Sequence, residues 1–291
     1  MVRAHQYLLL LSALLFAPFA IAAPNAYAQG LLWKIERTGQ APSHVFGTIH
    51  SEDSRVLALP GLVQTTFDAS SSYVMEVVLD ANAVQAIFGA MMYGDGRTLT
   101  QTVNAATYQK TLSAMAGYGL PEPALQMMKP WAVSMMLSMP KTKTGIALDI
   151  HLMQLAAAQT KAIAGLETVE EQIGLFDKLS PREQVIMLED TLKYLPEMEN
   201  IFARMHTIYL ARDLAGMMRI SDELMAKGNL ELGKKMMKQL IDLRNRRMVE
   251  RMETHLKQGN AFIAIGALHL PGEIGVLNLL ARKGYRVSVV Y

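Results

Sequence analysis

Two tetrapeptides of the same form carry the residues best suited to chemistry. Gly47-Thr48-Ile49-His50 and Gly266-Ala267-Leu268-His269 each follow an apolar, strand-like run. Because residues three apart on a strand point to opposite faces, we expect each histidine just past its strand end. α/β sheets place functional sites at the carboxyl ends of their strands, and imidazole serves there as a metal ligand or general base. One such histidine is usually structural, so the repeated motif is what indicates a shared site.

Two glutamates accompany these histidines. Glu76 lies within the apolar run Tyr73–Leu79, where an unpaired carboxylate would cost several kcal/mol or take up a proton. It therefore requires a metal, a cation or a strong hydrogen-bond donor, and a structural ion pair is the alternative interpretation. Glu167 ends a second strand-like run, Ala162–Leu166, and is the weaker candidate because a strand end is often solvated.

A possible cation for these carboxylates is Arg244. The helix predicted around it has an apolar stripe of Met237, Ile241, Met248 and Met252. Arg244 lies on the same face, at the position where this stripe is interrupted. An arginine on an inner face requires a carboxylate or an anionic ligand, both of which its planar fork can bind. The alternative is an arginine at the edge of the stripe whose head extends into solvent.

Composition narrows the classes of function. The chain of 291 residues contains no cysteine, which excludes disulfides, thiol catalysis and thiolate metal sites. Its hydrophobic fraction of 51% and charged fraction of 19% are typical of a globular domain. The net charge of +2 gives no bulk attraction to nucleic acid, so no nucleic-acid partner is expected. The 21 methionines suit adaptable helix packing better than a copper site.

The N-terminus has the three parts of a secretory signal peptide. Arg3 supplies a positive charge, Leu8–Ala23 is almost continuously apolar, and Ala26-Tyr27-Ala28 matches a cleavage site. We therefore expect residues 1–28 to be a signal peptide and Gln29 to begin the mature chain, with Ala20-Ile21-Ala22 as a second possible site. An uncleaved anchor is the alternative, which Pro18 disfavours. The mature protein is predicted to be periplasmic or secreted and to have no membrane span.

The remaining pattern predicts one α/β domain over residues 29–291. Strands are expected at both ends of the chain, mainly helical sequence lies between them, and the first and last strands must share a sheet. We predict a central mixed β-sheet with flanking helices and a largely helical middle insert. The expected strands are Leu31–Glu36, Ser43–Ile49, Tyr73–Leu79, Lys161–Glu167, Asn260–Leu268 and Tyr285–Tyr291.

Several motifs along the chain match a known family pattern. They are Leu32–Ile35, Phe46–His50, Arg55–Pro60, Glu76, Lys129–Trp131, Leu148-Asp149, Gly165–Thr168, Glu171-Gln172, Arg244-Asn245, Gly266–Gly272, Gly275–Leu280 and Gly284-Tyr285. Together they resemble the TraB/GumN family, which includes the Tiki proteases of animals. The resemblance covers essentially the whole mature chain.

This resemblance implies an α/β fold related to the ChaN and erythromycin-esterase group. For the Tiki branch it implies metal-dependent proteolysis supported by manganese or cobalt, whereas many bacterial members have no established activity. Carried onto this chain, it indicates His50, Glu76 and His269 as ligands of a divalent ion (Mn, Co or Zn). Glu167, Arg244 and Asn245 become the candidate catalytic residues.

Two classes of function follow. The first is an exported metal-dependent hydrolase, a peptidase, that acts on a peptide or small-molecule substrate. The alternative is a non-catalytic periplasmic protein that binds a small ligand, haem or peptide, or an accessory factor in polysaccharide production. A metal site beside a close carboxylate favours the enzyme, and a wide Met-lined cleft with separated histidines favours the binding protein.

Overall fold

The computed structural model describes residues 27–140 and 143–291, so most of the predicted signal peptide lies outside the described residues. Within these ranges six strands form a single sheet in the order β4-β3-β5-β2-β1-β6. The strands are β1 (Leu32–Glu36), β2 (Ser43–Thr48), β3 (Ser72–Met75), β4 (Ala162–Gly165), β5 (Ala261–Gly266) and β6 (Arg286–Val289).

The sheet is mixed, as predicted. β1 pairs antiparallel with both β2 and β6, so the first and last strands do share the sheet. β2, β5, β3 and β4 run parallel to one another, with Thr48 opposite Gly266 and Met75 opposite Gly165. Because these four strands are adjacent and run the same way, their carboxyl ends lie along one edge.

Helices cover the sheet and form the middle of the chain, which confirms the α/β class. A π-helical segment, Lys238–Leu243, leads directly into the helix that begins at Arg244. The helices are α1 (Ser54–Leu57), α2 (Gly61–Ala69), α3 (Ala81–Met91), α4 (Leu99–Thr102), α5 (Ala105–Met115), α6 (Glu122–Gln126), α7 (Pro130–Leu137), α8 (Leu148–Ala158), α9 (Val169–Asp177), α10 (Pro181–Tyr194), α11 (Met198–Leu210), α12 (Leu214–Lys227), α13 (Leu230–Met237), α14 (Arg244–Gln258) and α15 (Val276–Arg282).

All six strands are shorter than predicted, and two of these differences bear on the candidate site residues. β3 ends at Met75, so Glu76 lies just beyond the strand rather than within it. The Glu76 backbone carbonyl still accepts a hydrogen bond of 2.7 Å from Glu167 N–H, but the chain then turns away toward α3. β5 ends at Gly266, and a 3-10 turn over Ala267–His269 follows it. In both cases the strand ends where its side chains become part of a polar cluster.

The hydrophobic core has two main parts. One surrounds the sheet, where the Phe67 and Phe262 rings pack edge to face 5.2 Å apart. The other lies inside the helical insert, where Trp131 is 1% exposed and stacks on Phe176 at 5.6 Å. Within the residues described, no helix combines the length and apolar character that a membrane crossing requires.

Candidate functional site

Four side chains from neighbouring strands lie at the carboxyl edge of the sheet. His50 follows β2 by two residues, Glu76 follows β3 directly, Glu167 follows β4 by two residues, and His269 follows β5 by three. The strand order places β3 and β5 beside each other, with β4 and β2 on either side. The parallel register therefore accounts for the convergence of residues that are far apart in sequence.

Arg244 joins two of these residues. Its Nε donates a hydrogen bond of 2.8 Å to Glu167 Oε2, and its Nη2 binds Glu76 Oε2. Nη1 donates to the Leu240 carbonyl at 3.2 Å, and the residue is only 8% exposed. Burial alone would lower the pKa of Arg244, but the charges of Glu76 and Glu167 outweigh it and raise the pKa. Arg244 is therefore a buried cation shared by two carboxylates.

Glu76 has hydrogen-bond donors at both carboxylate oxygens. Oε1 accepts a hydrogen bond of 2.7 Å from Gly266 N–H. Oε2 accepts one of 3.2 Å from Gln172 Nε2, in addition to the bond from Arg244. Burial opposes ionisation, but the electrostatic influence of His269 and Arg244, with these donors, lowers the pKa of Glu76 to about 2. Glu76 is therefore an anion at neutral pH, with Oε1 directed toward His269.

Glu167 is more completely enclosed, and its side chain has no exposed surface. Its Oε1 accepts hydrogen bonds of 3.2 and 2.5 Å from Arg247, and its Oε2 accepts from Arg244 and Gln172. Burial would raise its pKa, but these donors and the charge of Arg244 lower it. With both oxygens occupied, Glu167 is suited to holding Arg244 rather than to accepting a proton.

His269 is buried and has a defined tautomer. Asn245 Nδ2 donates to the Ile274 carbonyl at 2.8 Å, so Asn245 Oδ1 is the atom 2.6 Å from His269 Nδ1. Because that oxygen only accepts, Nδ1 carries the proton and Nε2 presents its lone pair. Burial lowers the pKa of His269 to about 4, so the ring is neutral at pH 7. Its Nε2 lies 3.8 Å from Glu76 Oε1.

His50 has a different environment. Its Nδ1 is 2.6 Å from Asp149 Oδ2, and Thr48 Oγ1 donates to the other oxygen of Asp149 at 2.5 Å. The side chain is 68% exposed, and its Nε2 has no hydrogen-bond partner among the described residues. The hydrogen bond to Asp149, with the charges of Asp149 and Glu76, raises the pKa of His50.

The structure thus brings Glu76, Glu167, Arg244, Asn245 and His269 into one network, with His50 beside it. Among the residues described, no group of three His, Asp or Glu side chains is placed to hold a metal ion. The predicted set of His50, Glu76 and His269 is therefore not assembled as three converging ligands. Only Glu76 and His269 face each other at close range.

Three residues of this network were not singled out as site residues from sequence. Asp149 lies in the first turn of α8, Gln172 is five residues beyond Glu167, and Arg247 is one helical turn beyond Arg244. The spacing of Arg247 was a usable signal, because residues three apart on a helix are neighbours. Asp149 had no comparable local signal, since its partner His50 is 99 residues away.

A sequence model of the TraB/PrgY/gumN family matches residues 31–289. The chain belongs to this family. Among curated relatives, "Metalloprotease TIKI1" of Danio rerio is 24% identical over 321 positions, covering 91% of this chain and 64% of the relative. "Metalloprotease TIKI homolog" of Nematostella vectensis is 23% identical over 327 positions, covering 92% and 69% respectively. The chain therefore spans about two thirds of each relative's length. No solved structure gives a significant match.

In this TraB/PrgY/gumN protein, replacing Arg244 should be costly. The substitution Arg244→Ala leaves two carboxylates without their shared cation, and losing one partner of a buried ion pair costs about 3–5 kcal/mol. Urea unfolding measures the change. Arg246→Ala is the matched control, because Arg246 is exposed and its loss should cost about 0–1 kcal/mol. Equal unfolding midpoints for the two variants would contradict the shared-cation interpretation.

The buried His269 should make folding stability depend on pH. Its pKa falls from 6.5 to about 4 on folding, so between these values the unfolded chain binds a proton that the folded chain does not. Acidification through this window lowers the free energy of unfolding, by about 2 kcal/mol near pH 5. Glu76 adds a separate loss between pH 4.5 and about 2.

The measurement for His269 is chemical unfolding from pH 7 to 4 in a chelator, so that no metal competes for the ring. His269→Gln should flatten the dependence between about pH 6.5 and 4, whereas His151→Gln, in α8, should leave the contribution of His269 intact. An unchanged pH dependence in His269→Gln would show that the ring is not buried in its neutral form.

Proposed function

We propose that this protein is a metal-dependent hydrolase that cleaves peptide bonds. The observation that carries the proposal is the 3.8 Å separation between the lone pair of His269 Nε2 and Glu76 Oε1. Two donors of one tetrahedral ion, each about 2.0–2.2 Å from it, are separated by a comparable distance. The names of the two metalloprotease relatives support the same class of activity.

The chemistry of the donors fits a divalent ion such as manganese, cobalt or zinc. A metal-bound histidine ordinarily donates its second ring N–H to a carboxylate or carbonyl. Both histidines follow this pattern, since Nδ1 of His50 contacts Asp149 and Nδ1 of His269 contacts Asn245. Glu76 and His269 would hold the ion, and Nε2 of His50, which does not converge with them in this structure, is the remaining candidate donor. A bound ion would lower the pKa of a water and polarise the substrate carbonyl.

The surrounding residues position these donors. Arg244 keeps Glu76 ionised and fixes Oε2, which leaves Oε1 directed toward His269. Asn245 sets the tautomer of His269, and Glu167 holds Arg244 through its Nε. We therefore assign Arg244, Asn245 and Glu167 positioning roles. Carboxylates already occupy most of the Arg244 guanidinium, so Arg244 has little capacity left to stabilise an oxyanion directly.

Two measurements on the full chain test the proposal. Purified protein, freed of metal by a chelator, is titrated with manganese, cobalt and zinc, and cleavage of a peptide library is then followed with each ion. We expect metal-dependent cleavage by the wild type and its loss in His269→Ala. Asp149→Asn should lower activity or metal affinity about 10- to 100-fold, as is usual for the partner of a ligand histidine.

The matched control for Asp149→Asn is Asp177→Asn, because Asp177 binds Lys129 away from the strand edge. It should retain full activity. Metal-independent cleavage, or equal activity of His269→Ala and wild type, would refute the metal-dependent mechanism.

A second candidate function is a non-catalytic binding protein. The observation that favours it is a Met-lined apolar cavity of about 560 Å³ next to His50, together with the separation of His50 from the Glu76–His269 pair. A binding protein would take up ligand at equilibrium and release it unchanged. Recovery of intact ligand after prolonged incubation with metal-loaded protein would favour this function over hydrolysis.

We also propose that the protein is exported and acts beyond the inner membrane. The Tyr27 ring packs edge to face on Trp33, with the ring centroids 5.4 Å apart. The Ala28 carbonyl accepts a hydrogen bond of 3.1 Å from Ala215 N–H. Cleavage after Ala28 would remove both contacts from the folded domain. Because of these contacts we expect cleavage at the earlier small-residue site, which leaves Ala23 as the first residue, in place of the site after Ala28 that the sequence favoured.

Mass spectrometry of periplasmic protein identifies the terminus. A terminus at Gln29 would show that Tyr27 and Ala28 are dispensable for the fold, and full-length chain in the membrane fraction would refute cleavage. The melting temperatures of chains beginning at Ala23 and Gln29 provide an independent check, since the longer chain should be the more stable.

A further inference from the structure

A cavity of about 560 Å³ lies between helices α10 to α13 and the carboxyl edge of the sheet. This volume is within the range of roughly 300–1,000 Å³ that is typical of small-molecule sites. Its wall is largely thioether and alkyl carbon, contributed by Met187, Met198, Met205, Leu224, Met225 and Met236. At one end the wall reaches His50 and Leu268, next to the network described above.

The polar side chains in this wall are mostly bonded within the protein. Asp190 accepts from Asn229 N–H at 2.7 Å, Thr191 donates to the Met187 carbonyl at 2.9 Å, and Tyr194 Oη binds the Lys227 carbonyl. Ser221 Oγ lies 3.6 Å from Met237 Sδ. The cavity therefore offers few free hydrogen-bonding groups away from its His50 end.

The composition of this wall favours a hydrocarbon chain over a peptide as the ligand. A buried peptide would bring backbone N–H and C=O groups that need partners, and leaving one unpaired is costly. An unbranched hydrocarbon chain has no such groups. Methionine side chains are flexible and polarisable, so they can adapt to a chain with many conformations. Among the described lining residues, His50 offers a ring nitrogen, Nε2, that could bond the polar end of such a ligand.

We propose that this cavity binds one long, unbranched acyl chain, with the carbonyl end of the chain toward His50. Resting on the hydrolase proposed above, this means that the natural substrate carries a long-chain acyl group near the bond that is cleaved. The acyl chain occupies the helical cavity, and the carbonyl end lies beside the strand edge.

Binding of free fatty acids tests the cavity without any catalytic step. Saturated acids from octanoic to palmitic acid are titrated into the full chain, in a chelator, by displacement of a fluorescent fatty acid. Each added methylene should tighten binding about fourfold, from ~0.8 kcal/mol per buried CH₂, until the cavity is full. Affinity that is independent of chain length would overturn the proposal, as would tighter binding of an apolar peptide than of palmitic acid.

A variant that fills the cavity locates the site. Leu224→Trp should weaken palmitic acid binding by at least about tenfold, as expected when two methylenes lose their buried position. Leu62→Trp is the control, because Leu62 is 58% exposed and lies outside the cavity wall. Circular dichroism verifies that both variants fold. A folded Leu224→Trp with wild-type affinity would place the acyl site elsewhere.

The two proposals fail separately. Length-dependent binding without any metal-dependent hydrolysis supports the acyl cavity and refutes the enzyme. Metal-dependent peptide cleavage without fatty-acid binding refutes the cavity and leaves the enzyme standing. Faster cleavage of an acylated peptide than of the same peptide without its acyl group supports both, and equal rates would remove the acyl group from the substrate.

Discussion

The site depends on one buried cation that two carboxylates share. Arg244 binds Glu76 and Glu167, which leave adjacent strands and would repel each other in its absence. Burying a charge is tolerable only where the charge is paired and its hydrogen bonds are satisfied, and here Gln172, Arg247 and the Gly266 N–H complete the set. This arrangement keeps Glu76 ionised while one of its oxygens still faces His269.

The two Gly-x-x-His motifs have opposite environments despite their matching sequence. The 3-10 turn after β5 buries His269 against Asn245, so the ring is neutral with one lone pair presented. His50 emerges in an exposed loop, where a carboxylate stabilises its protonated form. One histidine is thus suited to being a ligand at neutral pH, and the other can also exchange a proton with solvent.

The sheet and the helical insert contribute different parts of this region. The strand edge supplies the charged and imidazole groups, which require rigid backbone to stay within bonding distance. Helices α10 to α13 supply an apolar wall rich in methionine, which adapts to ligand shape. His50 lies at the strand edge and also lines the apolar cavity, so the cavity ends beside the polar network. On the proposals made above, specificity and chemistry would be located on separate elements.

Local pattern was sufficient for the outline of this protein. Alternating and continuous apolar runs predicted the strands, and the rule for strand ends placed His50 and His269 at the carboxyl edge of the sheet, with Glu167 at a further strand end. The interrupted helical stripe pointed to Arg244 as an inner cation. These features depend on short-range periodicity and on the geometry common to α/β sheets, both of which can be read from sequence. The end of β3 at Met75 could not be predicted from sequence, because Tyr73–Leu79 is apolar throughout except for Glu76.

Only the tertiary structure decided which side chains bond to which. The pairing of His50 with Asp149 spans 99 residues, and that of Glu76 with Arg244 spans 168. The tautomer of His269 follows from one amide oxygen, and the expected ligand set of His50, Glu76 and His269 is not assembled among the described residues. Differences in atomic position of a few tenths of an ångström decide whether these contacts form. They arise from the packing of the whole chain, which no local pattern encodes.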